Sequence, residues 1–137
     1  MIIICGLPGS GKTTLSKKLV DGCGFKYFND WGLIKENISI EDFVVQNKSK
    51  NIVLDLDYSN ANDYFFYDNI ENVYLGFNRN DKELEHIENI VERNLDLSEF
   101  YEKECKKRNL NFYCISENRE ILLEQIFNRL KNKIDTN

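Results

Sequence analysis

The sequence is poor in the residues that mark disordered or disulfide-bonded proteins. Its 137 residues include one proline and no low-complexity run, so the composition indicates a folded chain without a flexible interdomain linker. The four cysteines show no CxxC spacing and are too sparse for a disulfide framework. They are typical of a reducing compartment, and we expect the protein to be cytoplasmic.

Long apolar runs are also missing. The apolar stretch at residues 1–5 is far too short for a membrane span or a signal-peptide core, and it carries no basic leader. We therefore expect no membrane association and interpret this stretch as a buried strand. A length of 137 residues suits one domain, which we expect to span residues 1–137.

Lys and Arg, 18 in all, are outnumbered by 23 Asp and Glu, and the formal net charge is −5. Such a chain repels a phosphate backbone, which disfavours a nucleic-acid partner without excluding it. The exception is a basic stretch, EKECKKR at residues 102–108, near the end of a predicted helix. A solvated face with cations near a helix C-terminus explains this stretch adequately.

Five segments with strand-like composition recur along the chain, and helical patterns lie between them. The strand predictions are residues 1–5, 25–29, 51–56, 72–77 and 110–115. The helix predictions are residues 13–22, a short helix after Ser39, and residues 81–94, 98–109 and 119–134. Strands that alternate with helices predict a parallel sheet covered on both faces. The expected fold class is α/β, a three-layer α/β/α sandwich with a doubly wound, five-stranded parallel sheet.

The most specific signal follows the first strand. GLPGSGKTT, residues 6–14, matches the pattern GxxxxGK[ST] in full. Glycines in such a loop let successive backbone N–H groups converge on phosphate oxygens, at the positive end of the following helix. We expect Lys12 to reach the β- and γ-phosphates and the Thr13 hydroxyl to coordinate Mg²⁺. The predicted nucleotide-binding residues of the loop are Gly6, Pro8, Gly9, Ser10, Gly11, Lys12, Thr13 and Thr14.

With this motif the chain resembles the small P-loop kinases of the adenylate kinase and shikimate kinase type. The resemblance is carried by GLPGSGKTT, with looser matches in NDW (29–31), VLDLD (53–57), YLGF (74–77) and ERN (92–94). It covers the chain in element order. It implies a P-loop NTPase fold with Mg·ATP as the phosphoryl donor.

Phosphoryl transfer needs a carboxylate near the metal and a group that faces the acceptor hydroxyl. Asp55, at the carboxyl end of the third strand, is the preferred metal residue, and Asp57 is the alternative. The resemblance implies that Asp30, after the second strand, is the catalytic base; an N-cap or turn role is the competing interpretation. Trp31 is either a stacking surface for an acceptor ring or a core anchor.

The resemblance also implies cations over the phosphates. It suggests Arg93 as a catalytic arginine, beside a short lid at about 93–100. Arg79 and Arg108 are weaker candidates, and a surface ion pair is the better interpretation of Arg108.

The base of the nucleotide is expected near the loop after the last strand. The resemblance suggests Asn118 and Arg119 as residues that flank it, although a cap for the final helix explains Asn118 equally well. ATP and GTP stay alternatives, because base selection in this fold rests largely on backbone contacts.

No arginine occurs between Met1 and Asn78. Kinases of the resembled type hold an acceptor's phosphate or carboxylate with arginines between strands two and three, because the planar guanidinium pairs with such anions bidentately. Here the acceptor-side segment, about 30–50, contains only lysines as cations. The sequence therefore favours phosphoryl transfer from Mg·ATP to a hydroxyl of a small, uncharged acceptor, such as a nucleoside or sugar.

Two other functions stay open. A nucleotide-binding module or slow ATPase, with a conformational or partner-binding output, would bind nucleotide without acceptor-dependent turnover. A polynucleotide or RNA-end kinase is weakly suggested by DYSN, residues 57–60, and is disfavoured by the acidic charge.

Overall fold

The computed structural model describes residues 1–7, 9–57, 67, 69–77, 92–115 and 118–136, with the backbone alone at residue 93. Within these ranges the strands are β1 (Ile2–Gly6), β2 (Lys26–Asn29), β3 (Ile52–Asp57), β4 (Glu71–Gly76) and β5 (Asn111–Cys114). The helices are α1 (Lys12–Cys23), α2 (Asp30–Lys35), α3 (Ile40–Asn47), α4 (Glu92–Lys107) and α5 (Arg119–Asp135). All five predicted strands are confirmed, each within about one residue of its predicted bounds.

The strands form one parallel sheet in the order β2-β3-β1-β4-β5. β1 lies in the centre with its whole length buried, and it pairs with β3 on one side and β4 on the other. It is almost entirely apolar because a central parallel strand is covered on both faces. The chain builds β2 and β3 on one side of β1 and later crosses to β4 on the other. The sheet therefore has a topological switch point at the carboxyl end of β1, where ligands of open α/β sheets bind.

The pairing register determines which side chains meet at this switch point. Ile4 pairs with Asp55 and Gly6 pairs with Asp57, so two aspartates of β3 stand beside the end of β1. On the other side of β3, Asn29 pairs with Asp55. Paired residues of parallel strands point to the same face, and therefore Asn29 and Asp55 share a face of the sheet.

Helices cover both faces of the sheet. α1 and α5 pack against each other on one face. On the other face, Tyr101 of α4 stacks on Tyr74 of β4 with ring centroids 5.8 Å apart, and Phe43 of α3 packs on Phe28 of β2. The predicted three-layer, doubly wound sandwich is confirmed. In the described part of the chain, no helix combines the length and apolar character needed to cross a membrane.

The sequence did not indicate α2, a helix of six residues. Asn29 is its N-cap, and the Asn29 Oδ1 accepts a hydrogen bond from the Gly32 N–H at 2.7 Å. So short a helix shows too little of an apolar repeat to be recognised, and Asn-Asp-Trp-Gly is also typical of turns. The helix predicted after Ser39 is α3, where the Ser39 hydroxyl accepts a hydrogen bond from the Asp42 N–H. α2 is important for the site because Asp30 is its first residue.

α4 begins earlier than the helix predicted at 98–109, and the residues predicted as a short lid, about 93–100, form its first half. Ser98 is buried there; its hydroxyl donates to the Phe77 carbonyl at 3.0 Å and accepts from the Phe77 N–H at 2.9 Å. These hydrogen bonds tie α4 to the end of β4, and a lid role of residues 93–100 stays a prediction. Pro8, Arg79 and all but the end of the predicted helix 81–94 lie outside the described residues.

Replacing Tyr101 with alanine tests the packing of α4 on the sheet. Tyr101 and Tyr74 are both fully buried, so Tyr101→Ala leaves a cavity that the backbone fills only in part. We expect the free energy of unfolding, measured by urea denaturation, to fall by about 3–5 kcal/mol. The control Val45→Ala, at an exposed position of α3, should change it by less than about 0.5 kcal/mol. Equal losses in the two variants would contradict this packing.

Candidate nucleotide-binding site

The loop between β1 and α1 lies at the switch point of the sheet. Ser10 is buried, and its N–H and its hydroxyl both donate to the Leu7 carbonyl, at 3.1 and 2.6 Å. This pair of hydrogen bonds closes the loop into a tight turn. Gly11 occupies the N-cap of α1 and makes no side-chain cap. The first N–H groups of the helix are therefore left for an anion, which the helix dipole also attracts.

Two glycines let this loop fit between its neighbours. Gly11 has a φ of 94°, in the left-handed region that side chains rarely adopt. A Cβ there would lie 2.8 Å from Leu123 Cδ1 of α5, and a Cβ at Gly6 would lie 2.5 Å from Ser10 Oγ. Neither position has room for a side chain, and α5 packs directly on the end of the loop.

Asp55 lies under the start of α1 and is 5% exposed. Its Oδ1 is 3.7 Å from Lys12 Nζ, and its Oδ2 accepts a hydrogen bond from Thr13 Oγ1 at 3.4 Å. The structure thus brings Thr13 and Asp55, the two residues predicted to hold the metal, beside the lysine of the motif. Because the ammonium and the carboxylate are both largely removed from water, each restrains the position of the other.

Asp30 is the second buried carboxylate, 6% exposed, at the start of α2. Its Oδ1 accepts a hydrogen bond from the Trp31 N–H at 2.9 Å, and its Oδ2 accepts one from the Asp57 N–H at 3.1 Å. The N-cap role that competed for Asp30 belongs to Asn29. The two hydrogen bonds hold the Asp30 carboxylate at the carboxyl edge of the sheet, where β3 ends.

The surroundings of Asp30 favour its protonated form. Burial is the largest cause and raises the pKa of this carboxyl; the backbone hydrogen bonds from Asp57 and Trp31 act against the rise, and the charges of Asp57 and Asp55 add to it. A carboxylate with a raised pKa holds a proton more readily. This property suits a group that accepts a proton during a reaction.

Tyr27 of β2 is a site residue that the sequence did not indicate. Its hydroxyl donates a hydrogen bond to Asp55 Oδ2 at 2.8 Å, and the Asn29 amide donates to the Tyr27 hydroxyl oxygen at 3.4 Å. The period-2 alternation of a strand puts Tyr27 and Asn29 on one face of β2. The pairing register between β2 and β3 shows that Asp55 points to this same face of the sheet. Taken alone, a tyrosine in a short strand indicates core packing.

Three other predicted residues either lie away from the cluster around Asp55 or have side chains outside the described residues. Trp31 is 66% exposed, so the structure excludes the core-anchor interpretation. Arg108 forms an ion pair with Glu104 at the end of α4, 3.5 Å between Nε and Oε2, as the surface interpretation predicted. Arg93 belongs to the first turn of α4, and its side chain lies outside the described residues.

Asn118 and Arg119 stand at the start of α5. Asn118 occupies the N-cap position, but its side chain makes no capping hydrogen bond. Arg119 Nε is buried without a partner among the described residues. Leu123, one turn later, packs against Gly11, so α5 begins close to the phosphate loop. A role of Asn118 and Arg119 at the nucleotide base stays a prediction.

Comparisons with known proteins bear on the fold. No protein-family model matches the chain, and no curated protein matches it significantly. Among solved structures it is similar to the YorR protein from Bacillus subtilis, crystallised in complex with phosphorylated GDP, at 16% identity over 98% of both chains with a TM-score of 0.59. It is also similar to shikimate kinase from Bacteroides thetaiotaomicron, at 16% identity over 98% of this chain and 97% of that chain, with a TM-score of 0.46. The chain shares the fold of the YorR protein.

The residues at the loop between β1 and α1 suit Mg²⁺. Thr13 and Asp55 offer a hydroxyl and a carboxylate at hydrogen-bond distance from each other. Mg²⁺ prefers oxygen ligands and usually takes about one or two carboxylates from the protein, with water and substrate phosphates completing its shell. Among the described residues, no group of three or more His, Cys, Asp or Glu side chains is arranged to hold a metal. Thr13 and Asp55 would hold the ion together with phosphate oxygens.

Gly11→Ala tests the close contact between the P-loop and α5. The added methyl group combines a disfavoured φ with a contact of 2.8 Å to Leu123 Cδ1, so we expect the free energy of unfolding to fall by about 2–4 kcal/mol. We also expect the Kd for ADP to rise at least about tenfold, because the loop is displaced.

Gly24→Ala is the matched control for this substitution. Gly24 also has a left-handed φ, 71°, but its added Cβ would meet nothing within 4 Å. We expect a cost of about 1–2 kcal/mol from backbone strain alone and an unchanged Kd for ADP in a binding titration. If both variants bind ADP equally well, Gly11 has no special role in the site.

Proposed function

We propose that the protein is a kinase that transfers the γ-phosphoryl group of Mg·ATP to a hydroxyl group of a small, uncharged acceptor. The observation that supports this most directly is the pair of buried carboxylates at the carboxyl edge of the sheet. Asp55 lies against Lys12 and Thr13, on the nucleotide side. Asp30 lies one strand further out and is held by the Asp57 N–H of β3. One carboxylate thus suits the metal, and the other suits the acceptor.

In the proposed reaction, the acceptor oxygen forms a bond to the γ-phosphorus while Asp30 takes the proton of that hydroxyl. The bond between the γ-phosphorus and the bridging oxygen breaks, and ADP leaves with its electron pair. Lys12 and the N–H groups at the start of α1 bind the phosphate oxygens on which charge develops. Mg²⁺, held by Thr13 and Asp55, supplies further neutralisation of that charge when it is bound.

The positions of the lysines favour an uncharged acceptor. Lys48 and Lys50 follow α3 and precede β3, which puts them at the amino edge of the sheet, away from Asp30. The amino group of Met1, at the same edge, donates to the Lys48 carbonyl at 3.1 Å. Lys35, exposed at the end of α2, is the one cation of the acceptor-side segment that is not at that edge. Within this segment, residues 30–50, a phosphate or carboxylate on the acceptor would therefore find no arginine fork and little charge to bind it.

Nucleosides are a specific candidate within this class. The exposed indole of Trp31 directly follows the buried Asp30 in α2 and offers a flat surface on which a planar ring stacks. The structure of the YorR protein, which shares the fold, holds phosphorylated GDP. For this reason guanosine and GTP belong in any assay beside adenosine and ATP.

An RNA end is the less favoured acceptor. The net charge is −5, and the basic stretch at 102–108 spans the end of α4, just before β5 begins. This places the basic stretch at the amino edge of the sheet, opposite Asp30. Arg108 is also engaged by Glu104. These cations are at the wrong edge to bind an RNA whose end reaches Asp30.

ADP or GDP release over pooled acceptors tests the proposed function. The protein is assayed with Mg·ATP or Mg·GTP over separate pools of nucleosides, sugars, mononucleotides and short RNAs. We expect one neutral pool to stimulate release, and Lys12→Ala and Asp30→Asn each to lower the stimulated rate at least about 100-fold. Asp21→Asn, at an exposed position near the end of α1, is the control and should keep the wild-type rate.

Two results of this assay would replace the proposal. A slow basal release in every pool, unchanged by Asp30→Asn, would identify a nucleotide-binding module or slow ATPase and remove Asp30 as the base. Stimulation by the RNA pool alone, through binding that weakens steeply with salt, would identify an RNA-end kinase.

The pH dependence of kcat/KM tests Asp30 separately. Asp30 accepts a proton only when it is ionised, and burial raises its pKa. We therefore expect kcat/KM to fall toward acid pH, with a midpoint above the ordinary pKa of aspartate, and to reach a plateau as the pH rises. Asp30→Glu should retain such an acid limb at a lower rate. A wild-type kcat/KM that stays constant between about pH 4 and pH 7 would exclude a carboxylate base with a raised pKa.

A further inference from the structure

Three side chains among the described residues reach the Asp55 carboxylate, and Tyr27 lies closest. Lys12 Nζ is 3.7 Å from Oδ1, Thr13 Oγ1 is 3.4 Å from Oδ2, and the Tyr27 hydroxyl is 2.8 Å from the same Oδ2. Under the proposed function, Lys12 and Thr13 turn to the phosphates and the metal when a nucleotide binds. Tyr27 belongs to β2 and not to the loop, so its hydrogen bond to Asp55 persists through that change.

We propose that Tyr27 is a positioning residue for Asp55, whose hydroxyl holds this carboxylate in the orientation that Mg²⁺ binding with the nucleotide requires. This inference rests on the proposed function, because it concerns the same site. The Tyr27 hydrogen bond fixes Oδ2 and leaves Oδ1 facing Lys12. Outer hydrogen bonds of this kind orient carboxylates at metal sites, and their loss typically weakens metal binding by about 10–100-fold.

The dimensions of the sheet explain why a tyrosine serves at this position. Tyr27 pairs with Val53, which lies two residues before Asp55 on β3. The hydroxyl must therefore span the rise of two residues, about 6.6 Å along the strand. Serine and threonine are too short to do so. Phenylalanine fills the same space without the hydroxyl, so the hydrogen bond can be removed while the ring is kept.

Asn29 sets the direction of the Tyr27 hydroxyl. The Asn29 amide donates to the Tyr27 oxygen at 3.4 Å, so this oxygen is an acceptor on that side and directs its own proton to Asp55. Asn29 is itself held by its cap on α2, where its Oδ1 accepts from the Gly32 N–H. A chain of hydrogen bonds thus runs from the backbone of α2 through Asn29 and Tyr27 to Asp55.

Tyr27→Phe tests this positioning role without any acceptor. The Kd of a fluorescent, non-hydrolysable ATP analogue is measured in EDTA and then at increasing Mg²⁺ concentration. We expect the Kd in EDTA to stay within about twofold of the wild-type value. We expect the Mg²⁺ concentration that produces half of the metal-dependent change in Kd to rise about tenfold. The matched control is Tyr113→Phe, which removes a hydroxyl from β5 and keeps the ring beside Arg129; it should behave as wild type.

Asn29→Ser is a second variant that addresses the same chain of hydrogen bonds. Serine retains an oxygen that caps α2 but lacks the amide that directs the Tyr27 hydroxyl. We expect the Mg²⁺ requirement to rise less than in Tyr27→Phe, and in the same direction. Thermal unfolding of both variants in EDTA checks that each is folded under the conditions of the titration.

The outcomes separate this inference from the proposed function. If wild type responds to Mg²⁺ and Tyr27→Phe needs no more of it than wild type does, the positioning role is overturned and the kinase proposal stands. If Tyr27→Phe loses affinity equally in EDTA and in Mg²⁺, the hydroxyl acts on the shape of the site and not on the metal, which also overturns the role. If wild type itself binds the analogue with no response to Mg²⁺, both the metal assignment and the positioning role are wrong.

Discussion

The parallel register between β1 and β3 is the constraint on which the site depends. It sets Ile4 beside Asp55 and Gly6 beside Asp57, so both carboxylates lie where the phosphate loop leaves β1. A shift of one residue would turn Asp55 to the opposite face, under α3 and α4. There the carboxylate would be buried without Lys12 at a cost of several kcal/mol, on the order of 3–5. The contact between Asp55 and Lys12 therefore favours the observed register.

The site holds charge at positions where the rest of the sheet holds apolar side chains. Burial of Asp30 and Asp55 costs free energy, and the hydrogen bonds that each carboxylate accepts offset part of that cost. The same burial raises the pKa of Asp30, which makes this carboxyl better suited to take a proton. The energetic cost of Asp30 and its proposed use thus have one physical origin.

Most of the architecture followed from local pattern, because each strand is a short apolar segment bounded by polar or turn residues. α2 did not, since six residues show no helical period. The continuity of α4 was also missed: residues 92–94 and 98–107 were predicted as parts of two separate helices, and residues 95–97 between them were not predicted as helix. Only the contact of Ser98 with Phe77 shows why this polar stretch packs on the core. In the site, the loop motif and the strand-end position indicated Lys12, Thr13 and Asp55. Tyr27, which bonds to Asp55, belongs to no sequence motif and was not predicted.

The sequence by itself determined the phosphate loop, the alternation of strands and helices and the lack of arginine before Asn78, because these depend on spacing and composition along the chain. Only the tertiary structure decided that Asp55 is the carboxylate under Thr13, that Asn29 rather than Asp30 caps α2, and that Tyr27 joins the site. The two side-chain hydrogen bonds to Asp55 connect residues 42 and 28 positions apart. Contacts over such separations arise from strand pairing and helix packing, which no local pattern specifies.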